Sequence, residues 1–274
     1  MSTQDKSSSK KSTFLQRLNI RFPWLKLVAV IIIGLLAIAD LLDLTISKLN
    51  DPHDRISIAP MSQHVRITER DLKGKMLVAL TFDDGPSSET TPRLLDILRK
   101  RDVPATFFML GYMARSNPDL VKRVEKEGHE IASHTMYHQN FNRISASAAQ
   151  ADINEVNAVF NSILGHAPNL TRPPYGNYNN ALRDVAGTPL IIWSVDTLDW
   201  KNKNTDSIVA TTMSEISDGA VILMHDIHPT SVDAVSTLID TVRKAGYEFV
   251  TISELTEIRN INLANGVAYY NFRP

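Results

Sequence analysis

The 274 residues are enough for one large domain or two small ones, and a hydrophobic content of 43% supports a sizeable core. The sequence has no cysteine, which excludes disulfide bonds and thiolate metal sites. Residues 1–26 hold six basic residues and one acidic residue, a net charge of +5, so the rest of the chain carries −6 within an overall charge of −1. This acidic remainder gives no electrostatic reason to bind nucleic acid, and no such partner is expected.

The N-terminal region has the pattern of a membrane-anchored protein. A basic tail over residues 1–21 precedes 13 uninterrupted apolar residues at 27–39. As a helix this run spans about 20 Å, which is short of the roughly 30 Å hydrocarbon core, but extending it over 22–46 reaches the required length. The basic flank indicates that the N-terminus stays in the cytoplasm and that the rest of the chain lies outside. We therefore predict a single-pass transmembrane signal-anchor at 22–46, located in the cell membrane.

A cleaved secretory signal is the alternative for this region. The basic segment, the short apolar run and the sequence Ala37-Ile38-Ala39 fit a signal peptide that is cut near Ala39, which would release the protein. If residues 22–46 instead form an uncleaved anchor, the side chain of Lys26 must reach the cytoplasmic membrane–water interface, and Asp40 and Asp43 must lie near the outer interface.

Residues 47–75 are polar and predict a stalk, after which short apolar runs alternate with helix-like stretches. The apolar runs predict strands at Leu77–Leu80, Ala105–Leu110, Glu130–Ser133, Leu190–Val195, Ala220–Met224 and Glu248–Ile252. Helices are predicted near Thr91–Arg101, Pro118–Glu127, Ala146–Leu164, Thr205–Ser217 and Ser231–Ala245. This alternation predicts an α/β fold with a parallel sheet and right-handed crossovers. Polar residues after several strands favour a TIM-like (β/α) barrel over an open sheet, because a barrel collects its active site at the carboxyl ends of its strands.

Two adjacent acidic residues follow the first predicted strand. Leu77–Leu80 continues into Thr81-Phe82 and then into Asp83-Asp84 before a Gly-Pro breaker. Where a buried strand becomes a loop, both carboxylates can face one cleft. Carboxylates this close repel each other, and both stay ionised only beside a cation or a basic group. In isolation the pattern also fits a solvated turn.

His134 and His138 follow another predicted strand and are separated by four positions. On one helical turn this spacing places both imidazoles on the same face, where they can bind one metal ion. One acid of the Asp83-Asp84 pair completes a set of three protein ligands with an open position, which is typical of a catalytic metal site. The other acid is then free to act as a base.

Three further segments place functional groups at strand ends. Prolines restrict the loop Arg172-Pro173-Pro174-Tyr175-Gly176, in which Arg172 can hold a carboxylate. The segment Asp196-Thr197-Leu198-Asp199-Trp200 ends a strand with two acids and an aromatic side chain, which fits either a sugar-stacking surface or ordinary packing. His225 ends a very apolar strand, but its polar neighbours indicate that the chain has left the core there.

Together these segments resemble the five ordered motifs of the polysaccharide deacetylase family, which is carbohydrate esterase family 4 or the NodB homology domain. The motif segments are Thr81–Gly85, His134–His138, Arg172–Gly176, Asp196–Trp200 and Leu223–His225. The resemblance covers about residues 76–256 and leaves a tail, 257–274, that either packs on the barrel or contacts a partner. It implies a distorted (β/α) barrel, a divalent metal that is usually zinc (cobalt and manganese being the other options), and hydrolysis of N-acetyl groups on β-linked N-acetylglucosamine polymers.

The resemblance also implies the metal ligands and the base. Asp84, His134 and His138 would ligate the metal, and Asp83 would be the general base that accepts a proton from the attacking water. Arg172 would hold Asp83 in place.

The remaining motif residues would act on the leaving group and the sugar. His225 would protonate the departing amine, and Asp199 would orient His225 and raise its pKa. The Tyr175 backbone N–H would stabilise the oxyanion, while Tyr175, Trp200 and Leu223 would contribute to substrate binding.

The function expected from these observations is removal of acetyl groups from a cell-wall polysaccharide beside the membrane, with N-acetylglucosamine of peptidoglycan as the expected substrate. Alternatives that use the same site are a chitin-oligosaccharide or poly-N-acetylglucosamine deacetylase and an O-acetyl esterase acting on xylan. A non-catalytic glycan-binding protein would need neither base nor acid, and a glycosidase with two carboxylates would leave the metal ligands without a role. The sequence predicts no particular oligomeric state.

Overall fold

A computed structural model describes Leu72 and residues 74–274. The predicted basic tail, the membrane anchor or cleaved signal, and almost all of the stalk lie outside the described residues. Within the described part of the chain, no helix combines the length and hydrophobicity needed to cross a membrane.

The described chain alternates between strands and helices, as the sequence predicts. The strands are β1 Met76–Asp83, β2 Thr106–Met109, β3 Glu130–Ser133, β4 Leu190–Ile191, β5 Val195–Asp196, β6 Ala220–His225, β7 Tyr247–Val250 and β8 Ala268–Tyr269. The helices are α1 Thr91–Arg101, α2 Gly111–Ser116, α3 Pro118–Lys126, α4 Ala146–Leu164, α5 Asn180–Val185, α6 Asp199–Asn202, α7 Thr205–Glu215, α8 Pro229–Lys244 and α9 Ile252–Ile258. Every pair of these strands is parallel, which confirms the prediction of an α/β fold with a parallel sheet.

Strand β1 is the centre of the main sheet, whose order is β3-β2-β1-β6-β5. Along one side β1 pairs with β6, and along the other it pairs first with β7 and then with β2. Val78, Leu80 and Phe82 pack against the helices, while Leu77 and Ala79 pack into a second buried cluster. Side chains alternate along a strand, so Asp83 shares the face of this second cluster and points away from the helices.

The strand pairs form a closed cycle that includes the end of the chain. Thr171 bridges β3 at Ser133 to β4 at Leu190, and β4 pairs with β8. Asn271, just after β8, then bridges to Ala220 at the start of β6. The tail 257–274 therefore contributes a strand to the sheet, which is the first of the two options that the sequence left open.

One predicted strand is wrong in its extent. The sequence indicates a single strand over Leu190–Val195, whereas the structure divides it into β4 and β5. The break at Trp193 lets the two halves pair with different neighbours, β4 with β8 and β5 with β6. The apolar run alone does not reveal this change of partner, because it contains no glycine or proline that would mark a break.

Candidate active site

The predicted site residues follow the carboxyl ends of several strands. Asp83 ends β1, His134 follows β3, and His225 ends β6. Arg172 follows the bridging residue Thr171, and Asp199 lies three positions after β5. Because all of these strands are parallel, their carboxyl ends meet at one edge of the sheet, and the structure brings the side chains together there.

Asp84, His134 and His138 form a compact cluster. Their nearest potential ligand atoms all lie within 4.8 Å of one another. Asp84 Oδ1 lies 3.5 Å from His134 Nε2 and 3.4 Å from His138 Nε2. The left-handed backbone of Asp84, with φ 75°, interrupts the alternation of β1 and lets its carboxylate join the cleft that Asp83 also faces.

The cluster has the donor set of a divalent cation site. His134 Nδ1 lies 2.8 Å from the carbonyl oxygen of Arg172, so Nδ1 carries the proton and Nε2 keeps a free lone pair. Burial lowers the pKa of His134 to about 3, so its imidazole is neutral at physiological pH. Asp84 Oδ1 is buried and has no hydrogen-bond donor among the described residues. Two imidazole nitrogens and one carboxylate oxygen fit zinc.

The prediction that His134 and His138 lie on one helical turn is wrong. The segment after β3 is an irregular loop in which Thr135 and His138 have left-handed backbones, with φ 70° and 55°. The two rings nevertheless lie 5.0 Å apart between centroids. A spacing of four positions therefore brings the two imidazoles together in an irregular loop as well as on a helix.

Asp83 is held by a buried arginine. Arg172 Nη1 donates to Asp83 Oδ1 at 2.7 Å, and the arginine side chain has no solvent exposure. The other guanidinium nitrogens donate to the carbonyls of Ile191 and Ile192 at 3.1 Å, and the guanidinium lies 4.0 Å from the centre of the Phe108 ring. Burial raises the pKa of Asp83, against the opposing charge of Arg172. Asp83 is therefore a fixed carboxylate with increased basicity.

Asp199 and His225 form a second pair. Asp199 Oδ1 lies 2.8 Å from His225 Nδ1, while its Oδ2 accepts hydrogen bonds from the His225 backbone N–H at 2.8 Å and from the Ser231 hydroxyl at 2.6 Å. Burial favours neutral Asp199, but the contacts with His225 and Ser231 outweigh it and lower the pKa of the carboxyl. Burial likewise favours neutral His225, but the hydrogen bond and charge of Asp199 outweigh it and raise the pKa of His225 to about 9.

The aromatic and apolar candidates differ in exposure. Tyr175 is 61% exposed, has a left-handed backbone with φ 61°, and places its ring edge-on to His138 at 4.6 Å. Trp200 is 48% exposed. Leu223 is only 3% exposed and lies two positions before His225 on β6, inside the ring of strands. Its predicted contribution to a sugar groove stays a prediction.

Sequence reasoning missed two residues that support the site. Ser231, at the start of α8, donates to Asp199 from 32 positions away. Asp226 is completely buried, and its carboxyl group lies where a side chain on Gly85 would otherwise be. Burial raises the pKa of Asp226 to about 7. No local pattern marks Ser231, whereas the position of Asp226 directly after His225 is the one signal in the sequence that could have found it.

Comparisons with known proteins identify the family of this chain. The family model for polysaccharide deacetylase matches residues 70–188. The chain is 43% identical over 178 residues to the peptidoglycan-N-acetylglucosamine deacetylase PgdA of Listeria monocytogenes, which covers 65% of this chain and 38% of that protein. The chain thus spans about two fifths of the length of that relative.

Two further proteins are matched over nearly their full length. A chitooligosaccharide deacetylase from Bradyrhizobium is 34% identical, with 70% of this chain and 95% of that protein covered. The structure described as T48 deacetylase with substrate has a TM-score of 0.69 at 38% identity and covers 73% of this chain and 99% of that one. The chain therefore belongs to the polysaccharide deacetylase family.

Proposed function

We propose that this protein is a metal-dependent N-deacetylase that hydrolyses the N-acetyl groups of N-acetylglucosamine residues in a cell-wall polysaccharide, with peptidoglycan as its substrate. The observation that carries the proposal is the cluster of Asp84, His134 and His138 beside a buried carboxylate, Asp83, and an imidazole, His225, that is paired with Asp199. The likeness to relatives named as peptidoglycan deacetylases supports the choice of substrate.

Asp84, His134 and His138 would hold the cation through one carboxylate oxygen and the two imidazole nitrogens. When bound, a divalent cation such as zinc supplies a Lewis acid that polarises the acetamide carbonyl and lowers the pKa of a coordinated water.

Asp83 accepts the proton that the water loses as its oxygen bonds to the acetamide carbon. The hydrogen bond from Arg172 Nη1 to Asp83 Oδ1 fixes the carboxylate and leaves Oδ2 directed toward the cluster, 3.7 Å from His134 Nε2. The Tyr175 backbone N–H donates to the carbonyl oxygen as negative charge develops on it.

His225 donates a proton to the amide nitrogen as the carbon–nitrogen bond breaks. An amine cannot leave as an anion at neutral pH, so this step needs a protonated acid. The raised pKa of His225, about 9, keeps the imidazole charged before reaction. The products are acetate and a glucosamine unit with a free amine.

The N-terminal pattern supports a membrane location for this activity. A single-pass anchor over residues 22–46 would place the described domain outside the cytoplasm, beside its polymeric substrate. Membrane fractionation of the full chain, with N-terminal sequencing of the mature protein, tests this part. A mature N-terminus just after Ala39 would favour the secreted form.

The full chain, loaded with zinc, should release acetate from N-acetylated peptidoglycan. A chelator should abolish release, and zinc, cobalt or manganese should restore it. Parallel assays on chitin oligosaccharides, poly-N-acetylglucosamine and acetylated xylan distinguish the alternative substrates. Acetate release that is unaffected by chelation would overturn the mechanism, and binding without acetate release from any of these polymers would favour a glycan-binding protein.

The metal cluster can be tested apart from activity. His134→Ala removes one of three ligands and should weaken zinc binding by orders of magnitude, measured by calorimetry and by loss of the zinc-induced increase in Tm. His166→Ala is a matched control, because His166 is exposed and pairs with Glu125 away from the cluster. Equal zinc affinity in the two variants would contradict the proposed ligand set.

A further inference from the structure

The loop that carries His134 and His138 has an unusual backbone. Thr135 and His138 are left-handed although neither is glycine, with φ 70° and 55°. A positive φ is uncommon for a non-glycine residue and is a genuine outlier for a β-branched one such as threonine. Such a conformation persists only where the surrounding structure imposes it. Contacts from outside the loop must therefore hold the two imidazoles beside each other.

One side of the loop docks on the start of α2. The Gly111 N–H donates to the carbonyl oxygen of Thr135 at 2.9 Å. The Tyr112 N–H donates to the carbonyl oxygen of Met136 at 3.2 Å. A side chain on Gly111 would collide with the side chains of Met136 and Val156, so α2 can approach the loop this closely because a glycine stands there. These bonds satisfy carbonyl oxygens of the loop and leave its N–H groups to another partner.

The N–H groups of the loop face Asp152, which lies in α4. Asp152 Oδ1 accepts a hydrogen bond from the Met136 N–H at 2.7 Å, and the Tyr137 N–H faces the same carboxylate. Consecutive backbone N–H groups beside a left-handed residue form a concave site for an anion. Asp152 is only 6% exposed, and its Oδ2 has no hydrogen-bond donor in the described part of the chain. The loop is therefore what this buried carboxylate binds.

The two histidines depend on Asp152 to different extents. His134 has its own supports, because its backbone N–H donates to the Met109 carbonyl at 2.8 Å and its Nδ1 bonds to the Arg172 carbonyl. His138 directly follows the two residues that face Asp152, and its side chain is 27% exposed. Loss of Asp152 should therefore displace His138 more than His134.

We propose that Asp152 is a positioning residue for the cation site, which holds the loop so that His138 Nε2 meets the same cation as His134 Nε2. This inference deepens the proposed function and rests on its ligand set. Asp152 acts through the backbone of Met136 and Tyr137 and not as a ligand. Removing a residue that orients metal ligands from outside the coordination sphere typically lowers metal affinity by about 10- to 100-fold.

The zinc affinity of the full chain tests this role. Asp152→Ala should raise Kd for zinc by about 10- to 100-fold, measured by calorimetry at a temperature where circular dichroism shows a folded variant. Asp152→Asn keeps an oxygen for the Met136 N–H and should retain most of the affinity. Asn154→Ala, at an exposed position of α4 that pairs with Gln150, is the matched control and should leave Kd unchanged. Parental affinity in Asp152→Ala would overturn the proposal.

A double-mutant cycle identifies the ligand through which Asp152 acts. His138→Ala alone should weaken zinc binding, and adding Asp152→Ala to it should cause little further loss, because the ligand that Asp152 positions is already absent. Losses of affinity that multiply in the double variant would mean that Asp152 does not act through His138, and would overturn the proposal.

Hydrogen exchange in the cation-free protein tests the loop itself. The Met136 amide should exchange slowly in the parent chain and at least about tenfold faster in Asp152→Ala, while the Ala132 amide in β3 keeps its protection. Fast exchange of the Met136 amide in the parent would overturn the proposal even if Asp152→Ala does not fold.

Acetate release is scored separately. A chain whose zinc affinity depends on Asp152 but which releases no acetate would overturn the proposed function and keep the positioning role. A chain that releases acetate and loses zinc with His134→Ala, but not with Asp152→Ala, would do the opposite.

Discussion

Two buried carboxylates of this protein have cationic partners but opposite surroundings. Asp83 is bonded to Arg172, whose charge is permanent, and burial raises the pKa of the acid. Asp199 accepts hydrogen bonds from the backbone N–H and the ring Nδ1 of His225 and from the Ser231 hydroxyl, and these lower the pKa of Asp199. Asp83 therefore keeps an increased affinity for a proton. Asp199 stays an anion, and its charge raises the pKa of the His225 imidazole.

The difference shows how one residue type can serve two functions in one cleft. Asp83 would take a proton from water, so its pKa must not be lowered far below its usual value. Asp199 never needs to be protonated, and its charge keeps His225 ready to donate. Where different environments shift the pKa values of neighbouring titratable groups apart, the shifts indicate which group is the acid and which is the base.

The largest effect should come from Asp83→Asn, which removes the base and keeps the side-chain shape. We expect kcat for acetate release to fall by about 10³-fold or more, a barrier increase of at least about 4 kcal/mol, while zinc still binds. Steady-state kinetics and zinc calorimetry on the same preparation measure both quantities. A zinc-bound, folded variant with kcat within tenfold of the parent would contradict the assignment of Asp83.

His225→Ala should cost about 10²- to 10³-fold on an N-acetyl substrate, because the amine then leaves without a proton donor. An acetyl ester whose leaving group needs no protonation separates the role of His225 from that of Asp83, because its hydrolysis still needs a base but no acid. On that ester His225→Ala should lose much less, while Asp83→Asn should lose as much as before. Equal losses of both variants on both substrates would mean that the two residues do not have separate functions.

Asp199→Asn should move the pKa of His225 rather than remove the acid. Without the anion, burial dominates and the pKa falls from about 9 toward or below its usual 6.5, which NMR titration of the cation-free protein can follow. Activity at neutral pH should fall because less of the imidazole is protonated. In the parent chain, the stability that comes from charged His225 is complete below pH 6.5 and is lost as pH rises through 9.

A pKa of His225 that stays near 9 in Asp199→Asn would show that other charges hold the proton. Asp83 and Asp84 are the candidates, since both also raise it. The parent protein in the same buffer, titrated with and without zinc, is the control for the effect of the cation.

Ser231→Ala should have the smallest effect of the four. It removes one of the hydrogen bonds to Asp199 and leaves the pair with His225 in place. We expect a loss of about 1–3 kcal/mol in the free energy of unfolding, measured by urea titration, and a smaller loss of activity than for Asp199→Asn. Ser236→Ala, at an outer position of α8 whose hydroxyl accepts from Arg101, is the control. An activity loss equal to that of Asp199→Asn would mean that Ser231 orients the whole pair.

Much of the site could be predicted because its residues stand at the ends of recognisable strands. Asp83 and His225 each terminate an apolar run, and parallel strands bring such ends together whatever the connecting helices are. The predicted helix Ala146–Leu164 agrees with α4 because Ser145 caps its start and Gly165 ends it with φ 84°. Local chemistry fixes such boundaries.

Features that depend on distant partners could not be predicted in this way. The loop from His134 to His138 follows its contacts with Arg172 and Asp84 rather than its own helical spacing. Similarly, β8 has only two residues, and it is a strand because β4 supplies a parallel partner. The bond from Ser231 to Asp199 exists only after α8 has packed against α6, the helix that begins at Asp199.

The cycle of strand pairs also sets an order of events during synthesis. Asn271 bridges to Ala220, and Phe272 lies so close to Gly219 that a side chain there would collide with the Phe272 backbone. A growing polypeptide therefore contains Asp83, His134 and His225 well before it contains the segment that joins the ring. The ring of strand pairs therefore closes only after residues 268–272 have left the ribosome, and a side chain introduced at Gly219 is expected to hinder that closure after the site residues are already in place.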